Sequence, residues 1–333
     1  MQATTTGTNT YAGKQPGRFP FPMPFGWFKV ALGGELVADT ILTPSYFGTD
    51  LVVWRDGDGR PVCQEAYCAH LGAHLGVGGH VAGGCIHCPF HGWAYDSAGA
   101  NVHIPYADKP NARARLRTFP TVEHCGIVLA WYHPRGEAPM WDVMDVPEFD
   151  DPEYGEYEVF EYTIGTCMQE IGENGFDAAH FEFVHSHPEV GITESVTFDG
   201  YDRTVLTRQQ FPSSKGPVDG RIDVTGRGPG FAITRYQGLI DASLIGCSTP
   251  IDDETTLVTF LFTLRNPEDD DKQERIARAF VDSVSREIGQ DIPIWEHKRY
   301  IPTPALAPSE KPITEYRRWY QQFYCGDAVS LHA

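Results

Sequence analysis

The stretches "YCAHLGAHLGVGGHV" (67–81) and "CPFHGWAYDSAG" (88–99) contain Cys68-Ala-His70 and, seventeen residues on, Cys88-Pro-Phe-His91. Each loop offers one thiolate and one imidazole. A [2Fe–2S] cluster can take this set, with two His replacing two Cys on one iron. Two ferric ions, two sulfides, two thiolates and two neutral imidazoles sum to zero charge, against minus two for a four-thiolate cluster. The neutral cluster accepts an electron more readily, so the pair of loops reads as an electron relay.

Zinc is the competing reading, since two Cys and two His at short spacings also suit a tetrahedral site, and Cys85-Ile-His87-Cys88 offers a decoy pair. Zinc fingers, however, group two Cys on one element and two His on the other. Here each loop reaches toward both irons, as in a Rieske cluster. Gly72, Gly76, Gly78, Gly79, Gly83 and Gly84 allow backbone to approach inorganic sulfide, and Pro89 and Gly92 tighten the second loop. His74, His80 and His87 read as surface or packing histidines, and Cys63 and Cys85 as buried thiols.

The chain has 333 residues, enough for two domains. A formal net charge of −19 opposes a nucleic-acid partner or an anionic membrane surface. Eight Cys without a regular framework suit a reducing cytoplasm. The N-terminus lacks a signal-peptide pattern, and no apolar run of about 18 residues predicts a membrane span.

Residues 1–24 are expected to form a flexible tail, with "FPFPMPFGW" an extended lead-in. From about 25 to 140 the texture is β: "ELVADTIL", "DLVVWRD" and "GIVLAWYH" read as strands, and "DGDGR" as a hairpin turn. This predicts a small β-sandwich or barrel carrying the metal loops. Acidic, Pro-containing residues 141–156 read as a linker. Residues 157–327 mix strands with helices in an α+β unit. "EVFEYTIGT", "VDGRIDVTGRG", "FAITRYQGLIDASLIG" and "TLVTFLFTL" predict an antiparallel sheet. Residues 168–184 carry helical spacing. Residues 271–300 read as one long helix with Ile276, Phe280, Val284 and Ile288 in a stripe.

The second constellation is "ENGFDAAHFEFVH". His180 and His185 are five apart, roughly 140° around an ideal helix, so both reach one metal only if the helix bends or ends between them. Two His plus a distant carboxylate make the facial triad of non-haem Fe(II) oxygenases. Asp282, Glu287, Asp291 and Glu296 are the candidates. Asp291 faces inward with the apolar stripe, and a buried Asp needs a positive partner, which a ferrous ion supplies. Glu287 is the fallback; a salt bridge from Asp291 to Lys298 or Arg299 is the alternative. Met168, Ile171, Phe176, Phe181 and Phe183 are candidate pocket walls.

These motifs, with "GQDIPIWEHK" (289–298) and "RRWYQQFY", resemble the oxygenase component of Rieske non-haem iron oxygenases, in particular the group of 3-ketosteroid 9α-hydroxylase oxygenases and cholesterol 7-desaturases. The resemblance implies an N-terminal Rieske domain and a C-terminal helix-grip (START-like) catalytic domain. It implies a homotrimer in which one subunit's cluster serves its neighbour's iron, and places Asp177 as the carboxylate joining His180 to the neighbour's His91. Asn174 falls where the family has an Asn near iron. The implied activity is hydroxylation of a hydrophobic polycycle, a steroid or sterol, with electrons from NAD(P)H through a reductase, with or without a separate ferredoxin. Desaturation, demethylation and dioxygenation are the alternatives on the same centres.

Overall fold

In the computed structural model, residues 17–325 are described except 212, 214, 239 and 266–270, and the side chains of 271–277 are also outside the description. The Ile276 position of the helical stripe and residues 1–16 of the expected tail therefore lie outside the described residues. The chain divides into two compact units. One is Phe25–Asp142; the other combines the segment before Phe25 with everything after Asp142.

The Phe25–Asp142 unit is built from three small antiparallel sheets. The first joins Gly26–Leu32, Ile127–Tyr132 and Thr121–His124; the second joins Ser45–Tyr46, Thr49–Arg55, Pro61–Glu65 and Thr118–Phe119. The third, His80–Ala82, Cys85–His87, Ala94–Tyr95 and Asn101–His103, carries the metal loops. The predicted "DGDGR" hairpin forms, pairing Arg55 with Pro61. "ELVADTIL" is not a strand. The amides of Glu35 and Leu36 turn back onto Leu32 and Gly33, Asp39 takes a positive φ of 63°, and only Leu42 bridges to Val53. Val52, Trp54, Leu75, Ile86 and Tyr95 form the core beneath the loops, together with Cys68 and Cys88. Gly79 is required there for space, because a Cβ would stand 2.0 Å from the Leu75 carbonyl oxygen.

The second unit is a seven-stranded antiparallel sheet in the order Glu158–Ile164, Thr255–Leu264, Ala242–Asp252, Phe231–Gln237, Val218–Arg227, Asp202–Phe211, Ile192–Asp199. Asp202–Phe211 alternates buried and less buried residues, the period of a one-faced sheet. The long helix Asp271–His297 lays Phe280, Val281 and Val284 on Phe211, Leu244 and Phe262. Each such aromatic or aliphatic side chain is worth roughly 1.5–3 kcal/mol when fully buried. Tyr162 and Ser285 tie strand to helix by a 2.9 Å hydrogen bond. No helix among the described residues is long and apolar enough to cross a membrane.

Two expectations fail at the unit ends. Residues 17–24 are packed rather than loose: Phe21 is buried, stacks on Tyr324 at 5.2 Å and meets the Tyr300 ring edge-on. Arg18 donates to the carbonyls of Gly165 and Glu296. The 141–156 stretch is also not a free linker. Trp141 packs on Trp131, and Glu148 is buried against Arg235. Both segments carry aromatic or ionic groups that find partners only in the folded chain.

Candidate metal centres

The two loops of the first unit are near repeats. After each Cys the chain turns back, with Gly72 N–H donating to Cys68 O (2.9 Å) and Gly92 N–H to Cys88 O (3.0 Å). Gly72 and Gly92 hold positive φ of 74° and 69°, where a side chain would be strained. Cys68 and Cys88 are buried. The His70 and His91 rings meet edge to face at 4.8 Å, and His70 stacks on Trp93 at 4.3 Å. Tyr95 OH lies 3.1 Å from Cys68 Sγ. Burial pushes the Cys68 thiol up, and the adjacent Cys88 adds to this, while the Tyr95 hydroxyl opposes it. Metal binding would displace that proton.

This donor set fits a binuclear cluster. His91 Nδ1 is shielded from solvent and has no hydrogen-bond partner, the state of a nitrogen aimed at a metal. A single zinc ion would draw four donors to one point about 2.0–2.3 Å away. Among the described residues, only one set of three donors converges within 4.8 Å, and it is elsewhere.

That set is His180, His185 and Asp291. The sequence forms it by breaking a helix twice. Helix Met168–Glu173 passes into a tight turn over Asn174–Phe176 and stops at Asp177 (φ −107°, ψ 88°). A short helix, His180–Phe183, then ends before His185, and Ser186 has φ 59°. The 140° mismatch is thereby removed. Asp291 comes from the long helix and is buried. His185 Nε2 lies 3.4 Å from Asp291 Oδ1.

Neighbours set the tautomers. His180 Nδ1–H donates to the backbone carbonyl of Asp177, and His185 Nδ1–H to Gln290 Oε1 at 3.0 Å. Both rings therefore present Nε2 to the shared space. Asn174 Nδ2 donates to His180 Nε2 (3.2 Å) and to Asp291 Oδ2 (3.1 Å), spanning two of the three donors. Burial lowers the His180 pKa. Burial also acts to lower that of His185, but the hydrogen bonds to Asp291 and Gln290 outweigh it and raise the pKa. Two imidazoles presenting Nε2 and a carboxylate, all within 4.8 Å of one another, suit ferrous iron with open positions.

Several expectations change here. Asp177 reaches His180 through its carbonyl, because the chain turns at Asp177; its carboxylate Oδ1 instead accepts from Ala179 N–H at 3.1 Å. Glu287 pairs with His187 Nε2 at 3.3 Å, away from the triad. Lys298 pairs with Glu170 rather than Asp291, at 2.6 Å. Phe183 is 78% exposed and no wall, and Phe176 stacks on Tyr316 and Phe198 as core. Gln290 was missed, although it adjoins Asp291 in the quoted motif. Gln290→Ala is expected to weaken iron retention about tenfold, the low end for a ligand-orienting partner, because this bond is exposed. Chelator competition followed by iron analysis measures it.

Residues 26–120 match the Rieske [2Fe-2S] domain family, and residues 130–324 match the 3-ketosteroid 9alpha-hydroxylase C-terminal domain. The chain is 31% identical to a cholesterol 7-desaturase of Bombyx mori, over 94% of this chain and 72% of that protein. It is 29% identical to a 3-ketosteroid-9-alpha-monooxygenase oxygenase component of Rhodococcus rhodochrous, over 93% and 86%. The fold is shared with dicamba monooxygenase bound to dicamba: TM-score 0.72 at 20% identity, covering 90% of this chain and 96% of that one.

Proposed function

Since this chain belongs to the Rieske oxygenases whose catalytic half is the 3-ketosteroid 9α-hydroxylase C-terminal domain, we propose that it is the terminal oxygenase of a system that hydroxylates a steroid or sterol. The observation that carries the reading is the convergence of His180, His185 and Asp291, with the Nδ1 of each ring held by another group so that both Nε2 atoms face the shared space. We assign iron to these three, and the cluster to Cys68, His70, Cys88 and His91. When bound, the cluster supplies electrons and the iron supplies O₂ chemistry. The protein's own part is placement: Asp177 O and Gln290 fix the two rings, Asn174 spans His180 and Asp291, and the apolar packing of helix on sheet excludes water.

Electrons come from a reductase, for which we propose NAD(P)H as the source. Exposed Leu71, Phe90 and Tyr106 around the cluster loops supply apolar surface for such a partner. A homotrimer gives the Asp177 carboxylate its use: Oδ2 has no partner among the described residues, and a neighbour's His91 would occupy it. The cysteines form no disulfide among the described residues, which fits the reducing cytoplasm we propose. Desaturation is the second reading, favoured by the likeness to the silkworm cholesterol 7-desaturase.

The test is a steroid panel with a surrogate reductase, read by mass. A gain of one oxygen is expected; a loss of two hydrogens identifies a desaturase. Purified protein that holds zinc and no acid-labile sulfide would end the oxygenase reading.

A further inference from the structure

Two of the three iron donors stand on segments that are fastened to each other beside the metal site. His185 follows the short helix His180–Phe183, and Asp291 belongs to the long helix. His187, two residues beyond His185, is buried, and its Nε2 lies 3.3 Å from Glu287 Oε1. Glu287 precedes Asp291 by four residues, one turn and about 6 Å along the same helix face. Gln209, on strand Asp202–Phe211, donates from Nε2 to His187 Nδ1 at 2.9 Å. That bond fixes the tautomer, with Nε2–H toward Glu287. A polar chain thus runs from the sheet, through the segment that bears His185, to the helix that bears Asp291.

The chain is held along its length. His187 N–H donates to Phe181 O at 3.0 Å, which folds the segment back on the short helix. Gln209 is buried, and a Cβ at Gly191 would stand 2.1 Å from its Oε1, so backbone presses on the amide. Between His185 and His187, Ser186 has φ 59°, a conformation that a serine keeps only when its surroundings impose it. Gln290 also binds His185 from the long helix, but that contact is exposed and water competes for it. The His187 side chain is 2% exposed, so water does not compete in the same way for its bond to Glu287.

We propose that Glu287, His187 and Gln209 are positioning residues for the iron. They lock the turn that carries His185 to the helix that carries Asp291, and so set how tightly the metal is held. The inference rests on the iron assignment above and deepens it.

The experiment mixes reduced, anaerobic holoenzyme with a ferrous chelator. Release of the third iron is timed, with cluster absorbance as the reference for the other two. Glu287→Ala is expected to release it about tenfold faster than wild type, the low end for a group that orients a ligand. Glu287→Gln keeps an acceptor for His187 Nε2–H and should restore most of the retention. The Glu287 side chain is 20% exposed, so both variants should fold. Tyr162→Phe is the control: it cuts another strand-to-helix hydrogen bond, to Ser285, without touching the chain, and should leave release unchanged. Wild-type release from Glu287→Ala, no rescue by Glu287→Gln, or equally fast release from Tyr162→Phe would overturn the inference alone. If wild-type protein holds no iron beyond the cluster, or Asp291→Ala keeps it, the iron assignment falls and takes this inference with it.

Discussion

Asp291→Ala is expected to abolish turnover while leaving the visible spectrum of the cluster unchanged. The substitution removes one of three donors that lie within 4.8 Å of one another, and leaves two neutral imidazoles to hold a divalent ion. Orienting partners alone are worth about 10–100-fold in metal affinity, so loss of a direct ligand should exceed a hundredfold. The carboxylate also anchors Asn174 Nδ2 at 3.1 Å, so the amide loses one of its two partners. Metal analysis should give two irons per chain in place of three, with both remaining irons in the cluster. Full turnover in the variant, or equal loss of cluster and mononuclear iron, would show that Asp291 does not hold the metal.

The second large effect is on stability. Arg317, on helix Lys311–Tyr320, makes a bidentate pair with Glu173: Nε to Oε2 at 2.5 Å and Nη2 to Oε1 at 2.9 Å. The two side chains are 10% and 8% exposed. Arg317 also donates to Ile301 O at 2.8 Å and lies over the Tyr300 ring. Arg317→Met should destabilise the catalytic unit by about 3–5 kcal/mol, because it strands a buried carboxylate. Lys298, 3.9 Å from Glu173, compensates little at that range. Adding Glu173→Leu should recover most of the loss, since apolar groups then replace both charges. Urea unfolding followed by tryptophan fluorescence reads this, with cluster absorbance as an internal reference for the other unit. A midpoint unchanged in the single variant would show that the pair carries no net stability.

Local pattern carried the parts of the site that depend on spacing. The two Cys–His loops are readable because each is a few residues long and closes on its own glycine. Asp291 is readable because one unbroken helix transmits the phase of Phe280 and Val284 to it. Gln290 could have been found by asking which neighbour of the acid orients His185. The Glu287–His187–Gln209 chain could not, because it needs the pairing of Asp202–Phe211 with its neighbours to bring Gln209 beneath the helix. The Asp177 carboxylate that the resemblance places on His180 gives way to the Asp177 carbonyl for a related reason: the chain leaves the helix at that residue.

The division of the chain gives the cluster-bearing unit an unusual status. It begins after Pro24 and ends at Asp142, and both flanking segments belong to the other unit. It is an insertion, entered and left through one host. Just outside it, Arg18 is fastened to Gly165 and Glu296, and Glu148 to Arg235. A single proteolytic nick at one junction therefore cannot release the electron carrier; two are needed. The same topology means that replacing residues 25–142 by another Rieske unit takes two splice points in the chain rather than one.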